Sequence, residues 1–172
     1  MHLVAGLGRQ WPVMINLAWH VADVKPPRTP ADDLVSSRVW ITVDGVAFPD
    51  AGWWDLPLSV IGSALAAYAE LRDGGFQEDL PEDIAQASSY FFDGPFALAY
   101  RRTADAEPVI YLEGNRENHE GELESLVAGE MPLESFRVAL LGAAQILHAE
   151  VVTRGHLDEQ VRIAAGIVTG LT

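Results

Sequence analysis

From Leu133 to Val151 the apolar residues Leu133, Phe136, Leu140, Ala144, Leu147 and Val151 recur at three- and four-residue steps. That spacing puts all six on one stripe of a helix of about five turns. Pro132 opens it, where a missing N–H costs nothing, and Gly155 supplies the stop. A stripe this long needs an apolar surface to cover, and the upstream chain offers one. Val13, Ile15, Leu17, Trp19 and Val21 alternate with Met14, Asn16, Ala18, His20 and Ala22. In Arg38 to Asp44, Val39, Ile41 and Val43 share one face, while Arg38, Trp40 and Thr42 point the other way. Period two over such lengths describes half-buried strands.

The remaining elements follow from punctuation. Lys25 to Asp33 is a proline-rich loop that cannot continue a ladder. Val46 to Leu56 is an irregular lead-in carrying Trp53 and Trp54. Pro57 then starts a helix through Ile61, Leu65, Tyr68 and Leu71 that stops at Asp73-Gly74-Gly75. Asp93-Gly94 is a hairpin signal between Ser88–Phe92 and Phe96–Arg102, and Pro95 directly after it points to an edge or a longer loop. Pro108 to Glu113 is the next strand, and a Glu-rich loop is expected from there to Met131. Asp158 caps a last helix with Val161, Ala164, Ile167, Val168 and Leu171 inward. The order β-β-α-β-β-β-α-α predicts a single α+β domain over residues 1–172. It has about five strands in a mostly antiparallel sheet, with the helices packed on one face.

Charge narrows the partner. Of the formal net charge of −14, most lies in two segments. Residues 70–83 carry Glu70, Asp73, Glu78, Asp79, Glu82 and Asp83 against Arg72. Residues 113–134 carry Glu113, Glu117, Glu120, Glu122, Glu124, Glu130 and Glu134 against Arg116. Such a surface repels nucleic acid and anionic membrane and attracts basic proteins or cations. The apolar fraction of 49 % excludes disorder for most of the chain. Zero cysteines exclude disulfides, thiolate nucleophiles and Cys-ligated metals. No run of about 18 apolar residues suggests a membrane span. The apolar start lacks the flanks of a signal peptide, so the expected address is the cytoplasm. One lysine beside ten arginines is the codon bias of a GC-rich, for instance actinobacterial, genome.

The segment Arg38-Val-Trp-Ile-Thr-Val-Asp-Gly45, with Phe48-Pro49, a helix, the aromatic strand Ser89-Tyr-Phe-Phe, then Arg101-Arg-Thr and a long C-terminal helix, resembles a group of small actinobacterial proteins of unassigned function. The resemblance runs roughly from Leu34 to Gly155. It implies an architecture and no activity, so no functional residue comes with it. The layout is also similar to that of bacterial immunity proteins, an analogy of fold alone.

No catalytic signature is present. No serine sits in Gly-x-Ser-x-Gly, no P-loop occurs, and Gly6-Leu-Gly8 is too short for a dinucleotide loop and precedes a strand. His148 and Glu150 fall on nearly opposite sides of a helix and cannot chelate one ion. His119-Glu120 with Glu122 and Glu124 lacks the order of a calcium loop. No metal or cofactor is therefore expected. Two functions remain. The first is an acidic protein-binding module, an immunity- or antitoxin-type inhibitor of a basic partner. Its contact residues would be Glu117, Glu120, Glu122, Glu124, Glu78 and Asp79, with Trp40 and Arg38 on an outward strand face. The second is a small-ligand pocket or enzyme site between sheet and helices, lined by Trp53, Trp54, Tyr68, Tyr90 and Tyr100. Oligomeric state has no sequence signal.

Overall fold

A computed structural model describes residues 14–29, 33–74, 84–103 and 106–172. The elements in chain order are β1 (Leu17–Ala22), β2 (Ser37–Val43), β3 (Val46–Phe48), β4 (Trp54–Asp55), α1 (Pro57–Asp73), β5 (Ile84–Phe91), β6 (Phe96–Thr103), β7 (Val109–Glu117), β8 (Leu123–Pro132), α2 (Leu133–Thr153) and α3 (Asp158–Leu171). The α+β class stands, but the strands form two antiparallel sheets of four and not one of five. In the first sheet β2 is central, with β1 on one side and the short β3 and β4 on the other. The second is the meander β5-β6-β7-β8.

Two features of the sequence hid this arrangement. β3 and β4 have three and two residues, too few to display a period. β8 occupies the stretch expected to be a Glu-rich loop. Its inward positions are Val127, Gly129 and Met131, and its other face is open to water, where carboxylates cost nothing. The expected order is corrected accordingly: β3 and β4 precede α1, and β8 precedes α2.

The two sheets and the helices share one core. Val39, Ile41 and Val43 are buried as their parity requires, together with Leu98, Tyr100, Ile110 and Leu112 from the meander. Phe48 of β3 meets Phe91 edge-on at 5.6 Å and Phe96 at 5.8 Å, joining the sheets. Tyr100 packs against Phe136 of α2 at 5.2 Å. All six stripe residues of α2 are buried. α2 is long and apolar enough on average to cross a membrane, and that stripe is in the core. The free edge of β8 meets the lead-in to β1, where the Ile15 amide donates to the Glu130 carbonyl at 2.8 Å. That approach requires Gly129, since a Cβ there would lie 2.0 Å from the Ile15 side chain. The helix punctuation holds except at α3, where Asp158 is the first helical residue and not the cap: Leu157 is the N-cap residue and makes no side-chain cap bond. Pro57 is the first residue of α1, Gly74 ends it with φ 72°, and Gly155 follows α2 with φ 75°.

The proline-rich loop after β1 is fastened to the α2–α3 corner. His156 Nδ1 lies 2.5 Å from Asp33 Oδ1, and its Nε2 lies 2.8 Å from the Lys25 carbonyl. A carbonyl only accepts, so Nε2 carries a proton. The second Asp33 oxygen accepts from the Leu157 amide at 2.7 Å, at the start of α3. Removal from water pushes the Asp33 carboxyl up. The bonds from His156 and Leu157, with the attraction of the imidazole, outweigh this and hold it below the usual carboxylate range. A depressed carboxylate contributes stability above its unfolded value and loses it as pH falls through the folded one. Asp33→Asn should therefore lower the thermal midpoint at pH 6. The gap to wild type should close as both are acidified below about pH 3.9, the ordinary aspartate value. A gap that persists unchanged into strong acid would show that the contribution is packing alone.

Candidate interaction face

The residues expected to matter fall in three separate places. The first is the outer face of the meander. Its inner positions enter the core, and its outer positions align across the strands in rows fixed by the register. One row is Gln86, Arg101, Tyr111 and Glu130; the next is Ser88, Ala99, Glu113 and Ala128; the third is Tyr90, Ala97, Asn115 and Ser125. Among the described residues no helix covers these rows. α1 instead lies along the free edge of β5, where the Tyr90 amide donates to Ser63 Oγ at 3.1 Å. Arg102 turns away from the outer face and donates to the Leu71 and Arg72 carbonyls at the end of α1, so it fixes the helix against the sheet. Between α1 and the rows runs an open groove of about 680 Å³, bordered by Glu70, Tyr90, Arg101 and Glu113.

At the end of this face the β7–β8 turn presents Glu117, Glu120, Glu122 and Glu124, all exposed. The segment is an ordered hairpin tip. Asn118 Oδ1 accepts from the Glu120 and Glu122 amides, each at 2.9 Å, and Gly121 takes the left-handed conformation with φ 81°. The Glu117 amide donates to the Pro95 carbonyl at 2.8 Å, which ties the tip to the β5–β6 turn. Arg116 pairs with Glu124 across the strands. Among the described residues no ion pair forms at Glu117 or Glu122, and Glu120 meets only the exposed His119 at 3.9 Å. Glu78 and Asp79 lie outside the described residues.

The second place is the outer face of the first sheet, with the core between it and the acidic face. Trp40 stacks on His20 at 4.7 Å with an interplanar angle of 11°, and His20 Nε2 is 3.1 Å from Thr42 Oγ1. The stack leaves Trp40 only half-buried. Arg38 pairs with Asp23 at 3.2 Å and also lies over Trp54, its neighbour across the β2–β4 pair. Lys25 lies over the same indole at 4.9 Å. Arg38 and Trp40 therefore do not adjoin the glutamates with which they were grouped.

The third place holds no common pocket. Of the five aromatics expected to line one, Tyr68 and Tyr100 are core residues. The Tyr100 hydroxyl is 2.7 Å from Ser89 Oγ, and burial pushes its pKa up despite that bond. Trp53 packs edge-on to Phe96 at 5.1 Å and Trp54 takes the cations on the other sheet, so of the five only Tyr90 and the edge of the buried Tyr100 border the groove. The aromatic pocket is corrected to these dispersed positions: strand parity places each ring locally, and the five elements do not converge.

Two residues that matter were not singled out from sequence. Asp55, buried at the end of β4, accepts from the Phe92 and Asp93 amides at 2.8 and 3.2 Å, from Trp53 Nε1 at 3.3 Å and from the Leu56 amide at 2.7 Å. Asn115 faces the groove at a β-bulge. Neither has a local signal: the Phe92 and Asp93 amides that Asp55 holds are distant in the chain, and the outward direction of Asn115 is set by the register of β7. Among the described residues no group of three His, Asp or Glu could hold a metal ion. Comparison of the chain with family models, with curated proteins and with solved structures gives no match.

Proposed function

We propose that this protein is an acidic binding module that receives a basic protein partner on the outer face of the meander and its β7–β8 tip. An inhibitor of the immunity or antitoxin kind is the form this takes if the partner is a nucleic-acid-cleaving toxin, whose own ligand-binding surface is basic. The observation that carries the reading is the open sheet face with its rim of exposed carboxylates. Glu113, Glu117, Glu120, Glu122, Glu124 and Glu130 stand there against Arg101 and Arg116, and Arg116 is already paired. Carboxylates arranged in this way act as a surrogate for phosphates, and their field speeds encounter. The backbone of the tip is held by Asn118 and by the Pro95 carbonyl, which lowers the ordering cost of association. The same charge disfavours nucleic acid and anionic membrane as partners.

The test is neutralisation of Glu120, Glu122 and Glu124 to Gln. With the partner recovered by pull-down from the native host, association at low salt should slow by about tenfold and its dependence on ionic strength should flatten. Dissociation should change less, since long-range attraction acts mainly on encounter. The thermal midpoint should hardly move, because exposed charges contribute little to stability. Identical salt slopes for wild type and the triple variant would refute the proposal.

A further inference from the structure

The groove on the meander has the shape and the donor–acceptor balance for one planar cation. Its floor is β6, where Ala97 and Ala99 face outward. Ser88 and Tyr90 on β5 and Glu113 and Asn115 on β7 flank it, and α1 borders it beyond β5 with Ser63, Ala66 and Glu70. Adjacent strands are about 4.8 Å apart, so β5 and β7 stand roughly 10 Å from each other with only methyl groups between them. Tyr90 is 51 % exposed and offers a ring face. Glu113 lies between Ala99 and Ala128 in its row and forms no ion pair among the described residues.

Asn115 is the telling group. It is only 7 % exposed, it borders the groove, and its side-chain amide makes no hydrogen bond among the described residues. Its register partner Ala97 is on the outer face, while a Cβ at the preceding Gly114 would collide with Val127 and Phe48 in the core. The Asn115 side chain is thus directed outward into the groove. Its amide atoms are not sealed from water but open onto the groove, where a ligand donor can reach them. At the other end Arg101 lies over Tyr111 at 4.8 Å and repels a second cation, which confines a positive ligand to the Glu113–Asn115 end.

We infer that this groove takes an arginine side chain of the basic partner. Its guanidinium would donate to the Glu113 carboxylate and to Asn115 Oδ1 and lie against the Tyr90 ring. The planar fork of arginine matches this set, whereas the compact ammonium of lysine cannot both fork and stack. The inference rests on the proposed function and adds the partner's side-chain chemistry and its seat.

Hexa-arginine, hexa-lysine and the uncharged hexa-citrulline are suitable probes, with affinity measured by calorimetry at low salt and the Asn115 side-chain amide followed by NMR. Hexa-arginine should bind more tightly than hexa-lysine and shift the Asn115 amide signals, and hexa-citrulline should not bind. Glu113→Gln and Asn115→Ala should each weaken hexa-arginine binding by about tenfold. The Glu113→Gln effect should persist when Glu120, Glu122 and Glu124 are already Gln. Glu113 is on a solvated face and its replacement is isosteric, so the variant keeps the fold. If the tip variant loses binding while Glu113→Gln and Asn115→Ala do not, the groove assignment is wrong and the acidic-module reading stands. If hexa-arginine binds as well as before to all variants, or to none including wild type, both are wrong.

Discussion

Leu140→Asp should abolish cooperative folding at physiological temperature. Leu140 is completely buried in the middle of the α2 stripe, so the variant places an unpaired carboxylate in the core shared by both sheets. Truncating a buried leucine already costs about 3 kcal/mol or more, and an unsatisfied charge adds to that. Against a total stability of about 5–15 kcal/mol for a domain, the loss is most of what is available. Leu147→Asp should behave alike. Val138→Asp on the same helix is the control. Val138 is 54 % exposed, and its replacement should change stability by no more than about 0.5 kcal/mol. Urea denaturation of the three variants decides the matter. Equal losses at Leu140 and Val138 would mean that α2 does not present this stripe to the core.

Asp55→Ala should be the second most damaging change, by about 3 kcal/mol. Its carboxylate accepts four N–H groups, two of them from the β5–β6 turn and thus from the other sheet. Hydrogen bonds to a charged acceptor contribute about 1.5–3 kcal/mol each, and a donor left buried without one costs about 1–3 kcal/mol. The neighbouring cavity of about 330 Å³ is bordered by Asp55, Phe92 and Asp93, and water entering there offsets part of the loss. Asp55→Asn should recover only a fraction: its single oxygen can take the place that serves Phe92, Asp93 and Trp53, but the NH2 then faces the Leu56 amide, which it cannot accept from, and the charge is lost. Thermal unfolding and hydrogen exchange at the Phe92 and Asp93 amides would report the effect. Unchanged protection of those amides in Asp55→Ala would show that the turn is held by other contacts.

These two residues also mark the boundary between what sequence reveals and what it conceals. Leu140 was legible, since a helix repeats its faces every few residues and the whole stripe lies in one short stretch. Asp55 was not, because its partners Phe92 and Asp93 are 37 and 38 residues away and nothing about an aspartate before a helix announces them. The Asp33–His156 clamp spans 123 residues and is equally silent. For the candidate site, the acidic segment was visible as composition and the hairpin that shapes it was not. Glu-rich sequence looks the same in a solvated loop and on the open face of a sheet.

The sequence by itself determined the class of structure, the extent of the helices and the apolar face of β1 and β2. Those follow from backbone sterics and side-chain period, which act within a few residues: Pro57 and Gly74, Pro132 and Gly155, and the alternation through Val39, Ile41 and Val43. It also determined the chain's own acidity, a net charge of −14, because net charge needs no fold. Only the tertiary structure decided that the strands divide into two sheets, that Trp40 and Arg38 stand apart from the glutamates, and that the five aromatics do not meet. It alone placed Asn115, without a side-chain partner among the described residues, on the same outer face as Glu113. Such facts depend on register and on which elements share the core, and those are settled by burial summed over the whole chain.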